Sequence, residues 1–550
     1  MNSRNRALGL FAVMLLVLGM VVPSFAQDGD LLKFEAPDCD YGGTLKSIEA
    51  IDSMTVKFTL CAPDPAFPSK AAFSALQILP SEYLESTGGT GDLVTAPIGT
   101  GPYRLDRWEQ GSEIVLSRNE DYWGEKAIEG TVVFRWNSEA AARLTELQAG
   151  TADGIDNVGP GDIEVVAADP NLQLFPREAV NIFYLGMNRD LAPFDSLEVR
   201  QAVAHAIDKA RIVDNFYPAG SDVANQFMPP TISAGFTPEV EPFPYDQARA
   251  AELLAASGKE LPLAITISYR DVVRGYLPTP GVVAQDLAAQ LETVMVNGAP
   301  AFDVTVEVVE SGTFLDNVDA GLVQMYLLGW GADYPDATNF LDYHFGSGAS
   351  PQFGATFPEI TAGLSAAAQL SDLDARNEIY AQVNTYLRDF APMVPIAHGA
   401  SAVAYRAAIT GFPHASPLGN EAFGVMEDPD DDVFVWVQNG EPAGLYCADE
   451  TDGEALRVCE QIAEPLLAYE VAGTDVVPAL AESYVANENA TEYTFTLRDG
   501  VLFHDGSTLD ANDVVLSWGV QWDASHPLHV GRDGNFTYFS AFFGGFLNAE

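Results

Sequence analysis

The stretch 327–341, LLGWGADYPDATNFL, gathers two carboxylates, Asp333 and Asp336, two aromatics, Trp330 and Tyr334, and the structure breakers Gly329, Gly331 and Pro335. The apolar run just before it, Met325-Tyr326-Leu327-Leu328, reads as a buried strand. A strand that ends in an aromatic, a carboxylate and turn-forming residues is well placed to put one charge at the mouth of a cleft. The same residues also fit a surface turn whose aspartates cap a helix over Ala337–Tyr343.

Other chemistry is harder to build. There is no GxSxG elbow and no HExxH pair, so the usual hydrolase signatures are missing. Asp333 and Asp336 come from one turn, whereas paired glycosidase carboxylates face each other from separate segments. His526 and His529, His504, and His344 with His398 are the candidate imidazoles, and none has a recognised ligand spacing. Gly99-Thr100-Gly101 lacks the following lysine and helix start of a phosphate loop. The acidic run Glu427–Asp432 lacks the glycine and distal glutamate of an EF-hand and reads as an exposed linker.

The elements that must position these residues follow a strand–helix–strand rhythm. Strands are predicted over Ser47–Ile51, Thr55–Leu60, Tyr103–Trp108, Glu113–Arg118, Val132–Trp136, Ile182–Asn188, Leu263–Tyr269 and Val304–Val309, among others. Helices are predicted over Ser138–Ala149, Leu197–Ile207, Gly281–Val294, Glu359–Leu370 and Leu373–Phe390. That alternation argues for α/β lobes with mostly parallel sheets. After the acidic run the pattern restarts, with strands at Val433–Gln438 and Glu492–Leu497 and helices at Gly453–Leu467 and Asp510–Trp518.

With 550 residues the chain exceeds one ordinary core, so at least two lobes are expected. A 47% hydrophobic content is enough to fill them, which excludes an acidic disordered chain. The first 26 residues have the form of a secretory signal: Arg4 and Arg6, an apolar run over Ala7–Val22, then Pro-Ser-Phe-Ala. No cysteine lies near that cut, so a soluble extracytoplasmic protein without a lipid anchor is expected. The net charge of −51 becomes two units more negative without the leader, which disfavours nucleic acid and anionic membrane as partners. Acids are spread along the whole chain, which fits a saline habitat better than one cationic site. Cys39, Cys61, Cys447 and Cys459 suit an oxidising compartment. Their clustering suggests Cys39–Cys61 and Cys447–Cys459 among three possible pairings.

Several motifs together resemble the solute-binding proteins of peptide and nickel ABC importers, the large dipeptide- and oligopeptide-binding receptors. They are PIGTGPY (Pro97–Tyr103), LSRNEDYWG (Leu116–Gly124), PFDSLEVRQAVAHAID (Pro193–Asp208), Gly329–Phe340, ALAES (Ala479–Ser483) and YTFTLRDGVLFHDG (Tyr493–Gly506). In that family the ALAES and LRDGVLFHDG block precedes GTGPY; here it follows everything else. The chain therefore resembles a circularly permuted member, and a truncated tandem that swaps with another chain is the rival explanation. One copy of each motif favours permutation, which exposed loops and neighbouring termini permit.

The resemblance implies an α/β, two-lobed, periplasmic-binding-protein-like clamshell of the type II, large peptide-binding class. After the leader over 1–26, it implies lobe I from 27–178, and lobe II with the hinge crossings over 179–398. A return over 399–426, a linker over 427–432 and 433–550 would complete lobe I. It further implies a non-enzymatic monomer without cofactor that delivers a peptide-like solute to a membrane permease and ATPase. A nickel or metal-chelate receptor and a secreted hydrolase are the alternatives. In peptide-binding relatives the aspartate of GW-x-x-D pairs with the ligand's ammonium group, which matches Asp333. An arginine ahead of Tyr-x-Pro holds the ligand carboxylate, which matches Arg274, with Arg270 as the alternative. Trp330 and Tyr334 would wall the site, and Tyr446 lies in a loop that faces the cleft in relatives.

Overall fold

The computed structural model describes residues 31–549 except Val273. The leader expected over 1–26 lies outside the described residues.

Three sheets organise the chain. The first has seven strands in the order Tyr103–Glu109, Glu113–Arg118, Thr131–Trp136, Val433–Gln438, Gly154–Ile155, Ser401–Arg406 and Leu172–Arg177. Its middle strand comes from the tail: Val433–Gln438 runs parallel to Thr131–Trp136 on one side and to Gly154–Ile155 on the other. The sequence VFVWVQ suits that place, because a strand covered on both faces needs side chains that tolerate burial all round. Phe434, Trp436, Val437 and Gln438 are all buried.

The second sheet is antiparallel throughout, in the order Lys33–Glu35, Leu45–Asp52, Thr55–Leu60, Glu492–Leu497 and Ala481–Ala486. Along Thr55–Leu60 every second residue is buried, the signature of a half-covered sheet. Phe58 and Phe495 meet edge to face at 5.5 Å beneath Trp518 of the helix Ala511–Trp522. Asp510 starts that helix with a capping box closed by Asp513. The beginning and end of the described chain zip together beside it: Thr44 N–H donates to Phe543 O at 2.7 Å, and Gly43 bridges Gly544.

The third sheet has the order Asp222–Val223, Met393–His398, Asn181–Met187, Met325–Gly331, Leu263–Tyr269 and Phe302–Val308. Only its last three strands are mutually parallel. The expectation of mostly parallel sheets is thus wrong. Hydrophobic period identifies strands, but neighbour direction depends on which connections are helical crossovers. The helix Pro280–Glu292 makes one such crossover between Leu263–Tyr269 and Phe302–Val308. Helices Leu197–Ala206 and Pro280–Glu292 pack on one face of this sheet, and Pro358–Ala367 with Leu373–Phe390 on the other.

Adjacent antiparallel strands leave this sheet and enter the seven-stranded one, so the chain passes between two lobes at 178–180 and 399–400. Asn181 fastens the two crossings. Its Nδ2 donates to Gly399 O, and its Oδ1 accepts from Gly399 N–H, each at 2.8 Å.

The acidic run is not simply exposed. Asp428 is buried and ion-paired to Arg406, which also holds Asp153 at 2.6 Å. Asp432 Oδ1 accepts from Gly130 N–H at 2.6 Å. The helix predicted to reach Leu467 stops at Ile462 instead. There Gly101 N–H donates to Ile462 O at 2.8 Å, and a Cβ on Gly101 would lie 2.5 Å from Gln461 O. Gly99-Thr100-Gly101 therefore closes a helix end by close backbone approach. Disulfides join Cys39 to Cys61 and Cys447 to Cys459.

Candidate functional site

Strands Met325–Gly331 and Leu263–Tyr269 are parallel neighbours, so their carboxyl ends deliver Asp333 and Arg270 to the same edge of the sheet. The strand persists through Gly329, where a Cβ would come within 2.3 Å of the Tyr276 ring. Glycine at that position lets the segment containing Arg274 and Tyr276 lie across the strand. Beyond it the expected helix over Ala337–Tyr343 is a π-helical turn, Thr338–Asp342, followed by Tyr343–Phe345.

Asp333 is half-buried and held by Asn339, whose Nδ2 donates to Asp333 Oδ2 at 3.1 Å while its Oδ1 accepts Asp333 N–H at 2.9 Å. Burial pushes its carboxyl above the ordinary range, against the smaller opposing effect of Asn339. Among the described residues Asp333 forms no ion pair. It opens onto a void of about 90 Å³ whose other walls belong mainly to the first lobe, including Phe73, Ser74, Leu418, Asn420 and Tyr469. The helix Gly453–Ile462 presents one face there, Gly453, Leu456, Arg457 and Glu460, at the spacing that brings residues onto a single stripe. Asp452 starts this helix by accepting Ala455 N–H at 2.7 Å.

The aromatics expected as walls do other work. Trp330 stacks on Tyr343 at 4.4 Å and donates its Nε1–H to Asn339 Oδ1, so it braces the residue that holds Asp333. Tyr334 crosses into the first lobe and is only 7% exposed, edge-on to Phe542 at 5.1 Å with Lys70 Nζ 5.2 Å from its ring centre. The turn thus sends its ring into the first-lobe core and away from the void. Tyr446 is 3% exposed, edge-on to Phe536 in the first-lobe core beside Cys447, and does not reach the void. Asp336 is held in a two-pronged ion pair by Arg376, at 2.6 and 3.0 Å, so it cannot act with Asp333 as a carboxylate pair.

Arg270 donates to Ser311 Oγ and to the Tyr276 hydroxyl, each at 3.2 Å, and Arg274 sits on an exposed turn bridged to Leu277. Neither lines the Asp333 void. The imidazoles serve structural bonds: His344 Nδ1 meets Phe340 O at 2.7 Å, His398 Nδ1 meets Asn181 O at 2.6 Å, and His529 Nδ1 meets Val520 O at 2.7 Å. Burial depresses His344 and His398 to about 4, leaving them neutral at ordinary pH.

Sequence reading missed Glu460 and Arg457. Their signal was present, since Gly453, Leu456, Arg457 and Glu460 share a helical stripe that mixes charge with apolar surface. Only the packing of a tail helix against the turn of the other lobe gives that stripe a meaning.

The family description "Bacterial extracellular solute-binding proteins, family 5 Middle" matches residues 23–352 and 475–534. A relative named di/tripeptide-binding protein 1, from Pseudomonas aeruginosa, is 32% identical over 385 residues, 68% of this chain and 70% of that protein. The solved structure of HbpA2 from Haemophilus parasuis superposes with a TM-score of 0.65 at 29% identity, over 70% of this chain and 75% of that one. The Helicobacter pylori binding protein DppA, solved with the peptide STSA, gives a TM-score of 0.53 at 27% identity, over 70% and 74%. With a match across more than half its length and the shared two-lobed α/β fold, the chain belongs to family 5 of the bacterial extracellular solute-binding proteins.

Proposed function

We propose that this chain is the extracytoplasmic receptor of an ABC importer, and that it takes a peptide-like solute between its lobes and hands it to a membrane permease. The observation that carries the reading is Asp333, a desolvated carboxylate that faces an interlobe void without a cationic partner among the described residues. A buried charge of that kind is relieved by an opposite charge, and a peptide's α-ammonium group supplies one. Arg274 or Arg270, delivered to the same sheet edge, would take the ligand carboxylate. Trp330 supports Asp333 through Asn339, and Tyr334 helps hold the lobes closed. The relatives named for peptides support the same solute class.

Segments 27–178, 399–426 and 433–550 make lobe I in this reading, 179–398 make lobe II, and 427–432 is the join. The leader over 1–26 exports the chain. A permuted order is supported by the pairing of 42–44 with 543–545 and by the central place of Val433–Gln438. The test is thermal unfolding with a dipeptide panel. Ligand should raise Tm by mass action, and Asp333→Ala should remove that rise for dipeptides with free amino termini. Unchanged binding of those dipeptides by the variant would overturn the role of Asp333.

A further inference from the structure

A second void, of about 700 Å³, runs across lobe I and shares Ser74, Asn420, Glu460 and Tyr469 with the void at Asp333. Glu460 therefore borders both voids. Of the other acids along this groove, Glu125 is exposed and two are already matched. Glu464 accepts from the Tyr122 hydroxyl at 2.7 Å, and from Thr100 Oγ1 and Trp123 Nε1 at 2.8 Å each. Glu421 lies between Arg177 and Arg457, its Oε2 accepting from Arg457 Nε at 2.9 Å. Glu460 has no ion pair among the described residues, and its polar neighbour is Ser74. Arg457, one turn back on the same helix, is taken up by Glu421 and Asp156. The one cation lining the groove, Lys126, is bound to Glu120 at 3.1 Å.

We infer that Glu460 is a specificity-determining residue that selects ligands bearing a cationic side chain near their amino end. This rests on the reading of Asp333 as the site of the ligand's ammonium group. Asp333 and Glu460 then both border the smaller void, and a single positive charge would leave Glu460 unmatched. A lysine-, ornithine- or arginine-containing peptide matches both. Its aliphatic stem would run along Tyr469 and the Tyr122–Trp123 wall, and aromatic faces favour a cation passing over them. Burial raises the Glu460 carboxyl to about 7, which is how an acid behaves while its counter-charge is missing.

The experiment is calorimetric titration of the full chain at pH 8 with Lys-Ala and Ala-Lys, each against its norleucine and ε-acetyl-lysine counterparts, in 0.15 M and about 1 M salt. At least one lysyl dipeptide should bind tenfold or more tighter than both uncharged counterparts. That ratio should persist in high salt, which screens the diffuse field of so acidic a protein but not a contact in the groove. Glu460→Gln should bring the ratio close to one. Equal binding of all three side chains overturns the inference, as does a ratio that vanishes in salt or survives Glu460→Gln. If that variant does not fold, the wild-type ratio with the ε-acetyl ligand still decides. The two readings fail separately: acetylating the dipeptide's amino terminus tests Asp333, and exchanging lysine for norleucine tests Glu460.

Discussion

Tyr334 belongs to the turn of one lobe but buries its ring in the core of the other, which makes closure sensitive to a single side chain. The ring packs edge-on to Phe542 at 5.1 Å, lies 5.2 Å from Lys70 Nζ, and its hydroxyl accepts from Thr338 Oγ1 at 3.2 Å. Lys70 is itself fixed by Asp64 at 2.7 Å and by Phe542 O at 2.9 Å. Truncating a buried aromatic to alanine costs about 3–5 kcal/mol, from lost transfer energy and the cavity left behind. Within a fold that cost lowers global stability. In the proposed receptor it falls on the closed arrangement, because opening the lobes would remove the ring from its socket. Taking about 3 kcal/mol as the closure share, Tyr334→Ala should weaken ligand affinity by about 10²-fold. The unliganded protein should lose much less stability than a core aromatic would cost. Calorimetric titration with a bound dipeptide, together with small-angle scattering of the free variant, reads both effects. Affinity within threefold of wild type, or a fall in free-protein stability as large as the fall in binding, would refute the reasoning.

Two further outcomes follow from buried charge. Asp342 Oδ2 has no partner, and burial, then the charge of Asp336, outweigh Arg376 and push the carboxyl up to about 7. Such an acid keeps its proton in the fold and loses it near pH 4 when unfolded, so its penalty grows from about pH 4 to 7. Asp342→Asn should be neutral near pH 4 and stabilising by about 4 kcal/mol at pH 8 by urea unfolding, and an equal effect at both pH values would contradict this. Glu421 behaves oppositely: burial raises it, but Arg177 and Arg457 outweigh burial and hold it well below the usual range. Its stabilisation is present above the unfolded value near 4.3 and disappears as pH falls through its folded value. Glu421→Gln leaves two buried guanidinium groups sharing Asp156 alone and should cost about 3–5 kcal/mol at pH 7, measured by urea unfolding. A loss under 1 kcal/mol there would mean that water already compensates those arginines.

Local pattern made much of this protein legible. Alternation along Thr55–Leu60 and Glu492–Leu497, and the helical period of Leu373–Phe390, mark elements that the structure contains at the same bounds. Paired spacing pointed to the two disulfides, because a short chain segment keeps its ends within reach. The carboxylate at the end of Met325–Gly331 was visible because strand, glycine and aspartate are adjacent in the chain. What sequence could not supply were contacts between residues hundreds of positions apart. Strand direction in the sheets was one, since period does not encode a neighbour. The destination of Tyr334 was another: its spacing beside Asp333 suggested a shared wall, while the turn sends it into the opposite lobe. Glu460 is the clearest instance. It is one charged residue on an amphipathic helix until that helix, carried on the tail, is folded against Asp333. Only tertiary packing removes the water around both carboxylates, and it is that loss of water which gives either of them a reason to hold a cation.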